Sequence, residues 1–443
     1  KDRSMTSVAS NMVALAPTLA QLFQALDQAG ISYALLRGYD EVLNGDVDGD
    51  IDLLVAANHR EQFRRLVERA GMVRLERWGQ EPHEFYIGYD QETNAWLKLD
   101  VLTELAFGKP VPSLRTNLAK PSLQHRRRYG PTFILAPEEQ LLALLLHCLL
   151  DKSQIEPHYQ EKLTELAEQI EDQARMQALV AQYLPPTLNW AGLRLLIRQG
   201  DWQSILVLAS NIAGHLRQND PLGTRWRSFS LPLLRKLDRR TRSWRTPGLM
   251  VALLAPDGAG KTTLARSLGK AFYLPTRYIY MGTNPNSGSL TLPTTKLLAR
   301  ARRVPLLGPV RALNSLIEQA LRYRIGAYHR RRGRLVVFDR YGSGSLSSKK
   351  GGSILKRIQR WFTQTLCPPP DLLVYLDASP EVLYQRKQEH SLAKLEQQRQ
   401  HYLSLLADID NKIIIDASQP AHEVLQQVIA VIWQRYALAL QRT

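Results

Sequence analysis

The chain has 443 residues, 44% of them apolar, and a formal net charge of +17. That length predicts two or three domains with proper cores and excludes wholesale disorder. Two cysteines, Cys148 and Cys367, exclude a disulfide scaffold and a cysteine zinc site.

The charge is local. Residues 1–150 hold 16 basic and 19 acidic side chains, whereas residues 216–370 hold 30 and 5, a net +25. The text after Met5 lacks the charged and apolar regions of a leader, and the apolar run at 141–150 falls far short of the ~20 residues of a spanning helix. A cytoplasmic protein without a transmembrane segment is expected.

From residue 5 to 135 helix and strand alternate. Residues 18–29 predict an amphipathic helix stopped by Gly30, 33–36 and 51–55 short strands, and 61–70 a helix closed by Gly71. Residues 85–89 and 96–101 predict two strands joined by the turn-forming 90–94. From 136 to 246 the spacing is helical, at 138–150, 161–183, 188–200 and 203–216. His147 there reads as a core histidine. The basic run 235–242 and Pro247-Gly248 mark a boundary. From 247 to 443, apolar runs at 249–254, 278–281, 335–338, 372–376 and 412–415 alternate with helical stretches, which predicts a parallel sheet. The expected class is therefore α/β and multidomain, with a connecting helical region at 136–246.

The strongest chemical signal is Ala255-Pro256-Asp257-Gly258-Ala259-Gly260-Lys261-Thr262-Thr263, between a strand and a helix. It is the Walker A pattern with Ala255 in place of the first glycine. Small residues let backbone N–H groups of Gly258, Ala259, Gly260 and the following Thr262 and Thr263 curl around a phosphate chain, and the helix N-terminus adds partial positive charge. Lys261 is expected on the β/γ-phosphates and the Thr262 hydroxyl on Mg²⁺. ATP and Mg are the expected cofactors.

Residues 248–443 resemble the thymidylate-kinase-like branch of P-loop kinases. The likeness rests on 257–264, on Phe338-Asp339-Arg340-Tyr341, on 370–377 followed by Ser379-Pro380-Glu381, and on Ile415-Asp416-Ala417-Ser418. It implies phosphoryl transfer from ATP to a nucleoside monophosphate or related acceptor. It further implies that Asp257 faces the acceptor sugar, that Asp339 holds Mg²⁺ or its waters, and that Arg340 grips the acceptor or the transferred phosphate. The helix after Ser379 and its continuation correspond to the family's lid, with Arg386 and Arg399 as its cations; a solvated helix face is the other reading of both. The family's Arg-Glu-Pro-Gly-Gly-Thr-like acceptor element is replaced here by 280–286, Tyr280-Met281-Gly282-Thr283-Asn284-Pro285-Asn286. An acceptor other than thymidylate is expected, with the basic residues Arg300, Arg302, Arg303, Arg322, Arg324 and Arg330 to Arg332 as its determinants. The Gly/Ser-rich loop 342–352 either closes on the acceptor or merely connects.

A second constellation is Arg37-Gly38-Tyr39, Asp50-Ile51-Asp52 and Asp100. Asp50 and Asp52 alternate along a strand and so share a face. With Asp100 from a neighbouring strand they are expected to converge on divalent metal, with Gly38 admitting a triphosphate. The acidic neighbours Asp46 and Asp48 leave a solvated hairpin end as the other reading. The pattern resembles the nucleotidyltransferase superfamily of the DNA-polymerase-β type, with Tyr39 where Gly or Ser is usual, and implies an N-terminal α+β nucleotidyltransferase-like fold.

The leading expectation is a bifunctional enzyme: an ATP- and Mg-dependent kinase of a phosphorylated or polyanionic small-molecule acceptor, joined to a nucleotidyltransferase-like domain, with a homodimer admitted. The alternatives are a nucleic-acid end-processing enzyme, with nucleic acid the less favoured partner, and a protein whose N-terminal domain is a non-catalytic binding module.

Overall fold

The computed structural model describes residues 15–46, 49–245, 248–282, 289–300, 307–341, 361, 364–407 and 409–441. Residues 283–286, Arg302, Arg303, Asp48 and the loop 342–352, named above, lie outside the described residues, as does the side chain of Arg300. The chain divides into two compact units, Lys1–Arg240 and Thr241–Thr443.

The first unit opens with α1 (Pro17–Gln28), β1 (Tyr33–Leu35), α2 (Tyr39–Leu43), β2 (Ile51–Val55), α3 (Arg60–Arg69), β3 (Val73–Leu75), β4 (His83–Asp90) and β5 (Ala95–Leu102). A small hairpin, β6 (Ala106–Phe107) and β7 (Leu114–Arg115), precedes α4 (Ala119–Gln124), β8 (Arg127–Tyr129) and β9 (Thr132–Ile134). Seven strands form one mixed sheet in the order β3-β4-β5-β2-β1-β9-β8. The pairings β2 with β5 and β1 with β9 are parallel. Alternation explains why β2 is central: Leu53 and Val55 face α1 and α3, while Leu54 faces the opposite side.

That opposite side is covered by α5 (Pro137–Leu146), α6 (Pro157–Gln169), α7 (Gln173–Tyr183), α8 (Trp190–Gln199), α9 (Trp202–Val207) and α10 (Ala209–Asn219), whose apolar faces share one core with Ala34, Leu54 and Leu102. The long α11 (Pro221–Arg245) follows. Three helices end earlier than periodicity predicts. The 161–183 stretch breaks because Asp172 accepts from the Arg175 amide and caps a new helix, α7. The 203–216 stretch breaks at Leu208. After Leu146 the backbone widens to a π-helical turn, His147–Lys152.

The second unit has β10 (Leu249–Leu254), α12 (Lys261–Ala271), β11 (Thr276–Tyr280), α13 (Pro293–Arg300), α14 (Gly308–Arg331), β12 (Leu335–Asp339), β13 (Leu372–Asp377), α15 (Pro380–Arg386), α16 (Leu392–Leu406), β14 (Lys412–Asp416) and α17 (Ala421–Gln441). Among the described residues five strands form one all-parallel sheet, in the order β11-β12-β10-β13-β14. β10 sits centrally, with neighbours reached by crossovers in opposite directions. Ligands of such sheets bind at the carboxyl ends of the strands beside that switch point, where the phosphate loop lies.

Candidate functional site

The loop 255–260 leaves β10 and turns into α12 through two glycines in the left-handed region, Gly258 at φ +94° and Gly260 at φ +86°. A Cβ on Gly258 would stand 2.9 Å from the Leu383 carbonyl, so the turn needs glycine. Ala259 is buried between them. Lys261 opens α12 and is 8% exposed; its Nζ donates to the carbonyls of Ala255 and Pro256, each at 2.7 Å. Burial lowers its pKa to about 8, against the pull of Asp257 and Asp339.

Asp339 ends β12 opposite Leu253 of β10, next to the loop. It is 2% exposed. Its Oδ2 accepts from Tyr278 Oη at 2.7 Å and from Thr262 Oγ1 at 3.4 Å, while its Oδ1 is buried without a hydrogen-bond partner. A buried carboxylate oxygen is costly unless something satisfies it. A hard divalent cation seeks oxygen ligands of this kind, so Thr262 and Asp339 fit Mg²⁺. Nothing in the local sequence marks Tyr278 as a site residue. Only the pairing of β11 with β12 brings it to Asp339, which no local pattern announces.

Arg340 follows at φ +60°, a conformation that costs energy for a non-glycine residue. It donates to Asp257 Oδ1 at 2.7 Å, so the two expected acceptor-facing residues are paired with one another. His390 Nε2 stands 3.6 Å from the other Asp257 oxygen. Arg386, at the end of α15, donates to the carbonyls of Ala417 and Ser418 at 2.7 and 3.3 Å. It borders a cavity of about 240 Å³ that also touches Gly258, Gly260, Thr263, Ala417 and Val424. Arg399 on α16 grips Asp377 through two parallel bonds of 2.7 Å.

The basic segment is less available than its sequence suggests. Arg322 is 1% exposed and donates to the Leu290, Tyr280 and Gly282 carbonyls and to Glu318, so it organises the chain after β11 from within. Arg330 pairs with Asp371 at 2.9 Å. Arg322 is therefore an internal brace and not an acceptor determinant, because it is buried against Glu318 one turn away, whereas Arg330 keeps 42% of its side chain exposed. Arg324 and Arg331 are exposed.

In the first unit, Asp52 on β2 and Asp100 on β5 are register partners. Asp50 lies just before β2 and is exposed. Arg37 holds Asp52 through Nε at 2.5 Å, and His83 on β4 holds Asp100 through Nδ1 at 2.9 Å. Burial pushes the Asp52 carboxyl up, and Arg37 opposes it. Among the described residues no group of three or more His, Cys, Asp or Glu stands close enough to hold a metal ion. Asp52 and Asp100 thus lie side by side, each with a side-chain partner of its own. Gly38 adopts φ +63° at the start of α2.

Asp52 and His83 line a cavity of about 250 Å³ together with Arg37, His147, Asp151 and Phe107. His147 lines this cavity and is not the plain core histidine that the sequence suggests. Its Nδ1 is bonded to Asp151 at 2.8 Å and its buried Nε2 has no partner, while burial lowers its pKa. The π turn places it there, a feature that helical periodicity hides.

The thymidylate kinase family model matches residues 256–428. A thymidylate kinase from Xanthomonas campestris pv. campestris (strain B100) is 31% identical over 203 residues, which cover 42% of this chain and 84% of that protein. One from Limosilactobacillus reuteri (strain DSM 20016) is 25% identical over 210 residues, covering 43% and 98%. A solved thymidylate kinase from Candida albicans is 17% identical, covers 41% of this chain and 89% of its own, and superposes with a TM-score of 0.32, too low to add to the fold assignment. The parallel sheet, the phosphate loop and the relatives define a P-loop kinase, a phosphotransferase. Through residues 256–428 the chain belongs to the thymidylate kinase family. Among the described residues no helix is long and apolar enough to cross a membrane.

Proposed function

We propose that the second unit transfers the γ-phosphoryl group of ATP to a phosphate-bearing nucleotide or related small acceptor other than thymidylate. The observation that carries this reading is the unpartnered, buried Oδ1 of Asp339 beside the Thr262 hydroxyl, at the mouth of the phosphate loop. When bound there, Mg²⁺ supplies charge neutralisation on the phosphate oxygens. The loop amides of Gly258 to Thr263 cradle the phosphates. Lys261 leaves the Ala255 and Pro256 carbonyls for the β/γ-phosphates. Asp257 and Arg340 exchange their mutual bond for the acceptor, the carboxylate taking a hydroxyl and the guanidinium a phosphate. Arg386 borders the nucleotide cavity, and Arg399 follows the lid. Phosphoryl transfer is mainly positioning and charge stabilisation, so these groups suffice.

An acceptor screen with γ-labelled ATP, run on the wild type and on Lys261→Ala, tests this. Label should move to a phosphorylated small molecule only with the wild type. Label transfer that persists in Lys261→Ala sinks the reading.

For the first unit we propose a nucleotidyltransferase-like domain. Its strand-borne Asp52 and Asp100 and the glycine turn at Gly38 support that fold. The side-chain partners on both carboxylates, Arg37 on Asp52 and His83 on Asp100, favour the non-catalytic binding module as the second reading for its activity. The burial of Arg322 against Glu318 weighs against nucleic-acid end processing, since it withdraws one cation of the basic segment from the surface. A homodimer is supported by α14, where Val310, Leu313 and Ile317 are exposed along one face.

A further inference from the structure

Helix α11 has two faces of opposite character. The inner face is seated on its own unit. Thr224, Leu231 and Asp238 are buried there, Arg227 donates to the Ser113 carbonyl, and Arg235 donates to the Gly79 and Pro110 carbonyls. The outer face carries Leu222, Trp226, Phe229 and Leu233, which are 82, 68, 69 and 59% exposed. Spacings of four, three and four residues align them in one stripe. Scattered exposed apolar residues are ordinary, but four large ones in a row mark a contact surface.

The charges beside the stripe say what it meets. Among its 25 residues α11 holds eight Arg or Lys and one acid, the buried Asp238. Arg225, Lys236 and Arg239 flank one side of the stripe, Arg240 continues its line, and all four are exposed. A second copy packed face to face would bring two such sets of cations together. An anionic surface would be attracted to them instead. Trp, Phe and Leu beside Arg and Lys on one helix face is the pattern of a helix lying in a membrane interface.

We propose that α11 docks the first unit on an anionic phospholipid surface, with Leu222, Trp226, Phe229 and Leu233 at the acyl boundary and Arg225, Lys236, Arg239 and Arg240 over the headgroups. The helix lies on the surface and does not span it, in keeping with the absence of any sufficiently long apolar helix among the described residues. The proposal is independent of what either unit catalyses.

Cosedimentation of the full chain with phosphatidylcholine vesicles, with and without phosphatidylglycerol, tests it. The wild type should bind only the anionic vesicles, and less so at high salt. Trp226→Ser/Phe229→Ser and Arg239→Glu/Arg240→Glu should each weaken binding by about tenfold or more. All four residues face solvent and lie outside the kinase site, so helicity by circular dichroism and ATP turnover should not change. Trp226→Leu should still bind but lose quenching by brominated acyl chains. A wild type that stays in the supernatant with anionic vesicles overturns the proposal. So does a serine pair that binds like the wild type. A monomer–dimer equilibrium abolished by the serine pair, without vesicle binding, assigns the stripe to a second copy and overturns it too.

Discussion

Thr262 Oγ1 lies 3.4 Å from Oδ2 of Asp339, and the other oxygen of that carboxylate is buried with no partner. That unpartnered oxygen is therefore held ready at a cost to the unliganded protein. Asp339→Asn removes the charge and keeps the shape. The expected outcome is a kcat lower by roughly 10²–10³-fold and a raised Mg²⁺ requirement. Thermal stability should change little, since the side-chain shape and an oxygen able to accept from Tyr278 are kept. Initial rates across a Mg²⁺ series, with a melting curve for each protein, check both halves. An unaltered Mg²⁺ dependence would refute the role of Asp339.

Lys261 gives a proton signature. Burial holds its pKa at about 8, below the usual lysine value. Above pH 8 the free protein therefore carries this amine mostly neutral. ATP phosphates favour the charged form, so nucleotide binding just above pH 8 should take up a proton. The uptake should fade toward pH 7, where Lys261 is already charged. Titration calorimetry in two buffers of different ionisation enthalpy measures it, and Lys261→Met should abolish it. For folding the sign is the same: the unfolded chain binds more protons between the two pKa values, so this residue makes stability rise with pH across that window.

The basic segment separates into braces and free cations. Arg322 is sealed in with Glu318 and three carbonyls, whereas Arg324 is exposed two residues on. Arg322→Ala leaves Glu318 buried without its charge partner and should cost about 3–5 kcal/mol. Arg324→Ala should stay within about 0.5 kcal/mol. Denaturant unfolding of the two variants compares them directly, and equal losses would contradict the assigned brace.

The phosphate loop was legible in the sequence because its chemistry is local. Glycines, a lysine and a threonine at fixed spacing must be contiguous to wrap one phosphate chain. The five strands of the second unit were legible as apolar runs, since a parallel sheet is buried on both faces. Tyr278 and His147 were not. One reaches its site through strand pairing, the other through a π turn, and neither leaves a periodic trace. The fate of Arg322 was equally hidden, because a charged residue on a helix reads as solvated until its buried partner is known. The strand β9, which joins the first sheet between β1 and β8, is three residues long and carries too few residues to show alternation.

Arg37 and Asp52 offer the sharpest test of the first unit. The Arg37 side chain is 36% exposed and that of Asp52 10% exposed. Burial raises the Asp52 pKa, and Arg37 is the main force lowering it. A carboxyl with a raised folded pKa costs stability above that value, and the cost disappears as acidification protonates it. Arg37→Ala should therefore destabilise the unit by roughly 1–3 kcal/mol at neutral pH, the partial exposure of Arg37 trimming the full cost of a broken buried pair. The loss should shrink toward pH 5, because without Arg37 the carboxyl protonates more readily. Asp52→Asn in the same chain should restore most of it at pH 7, since no charge is then stranded. Hydrogen exchange of the β2 and β5 amides at both pH values reports the local stability. A loss that is equal at the two pH values and indifferent to Asp52→Asn would show that Arg37 acts through packing alone.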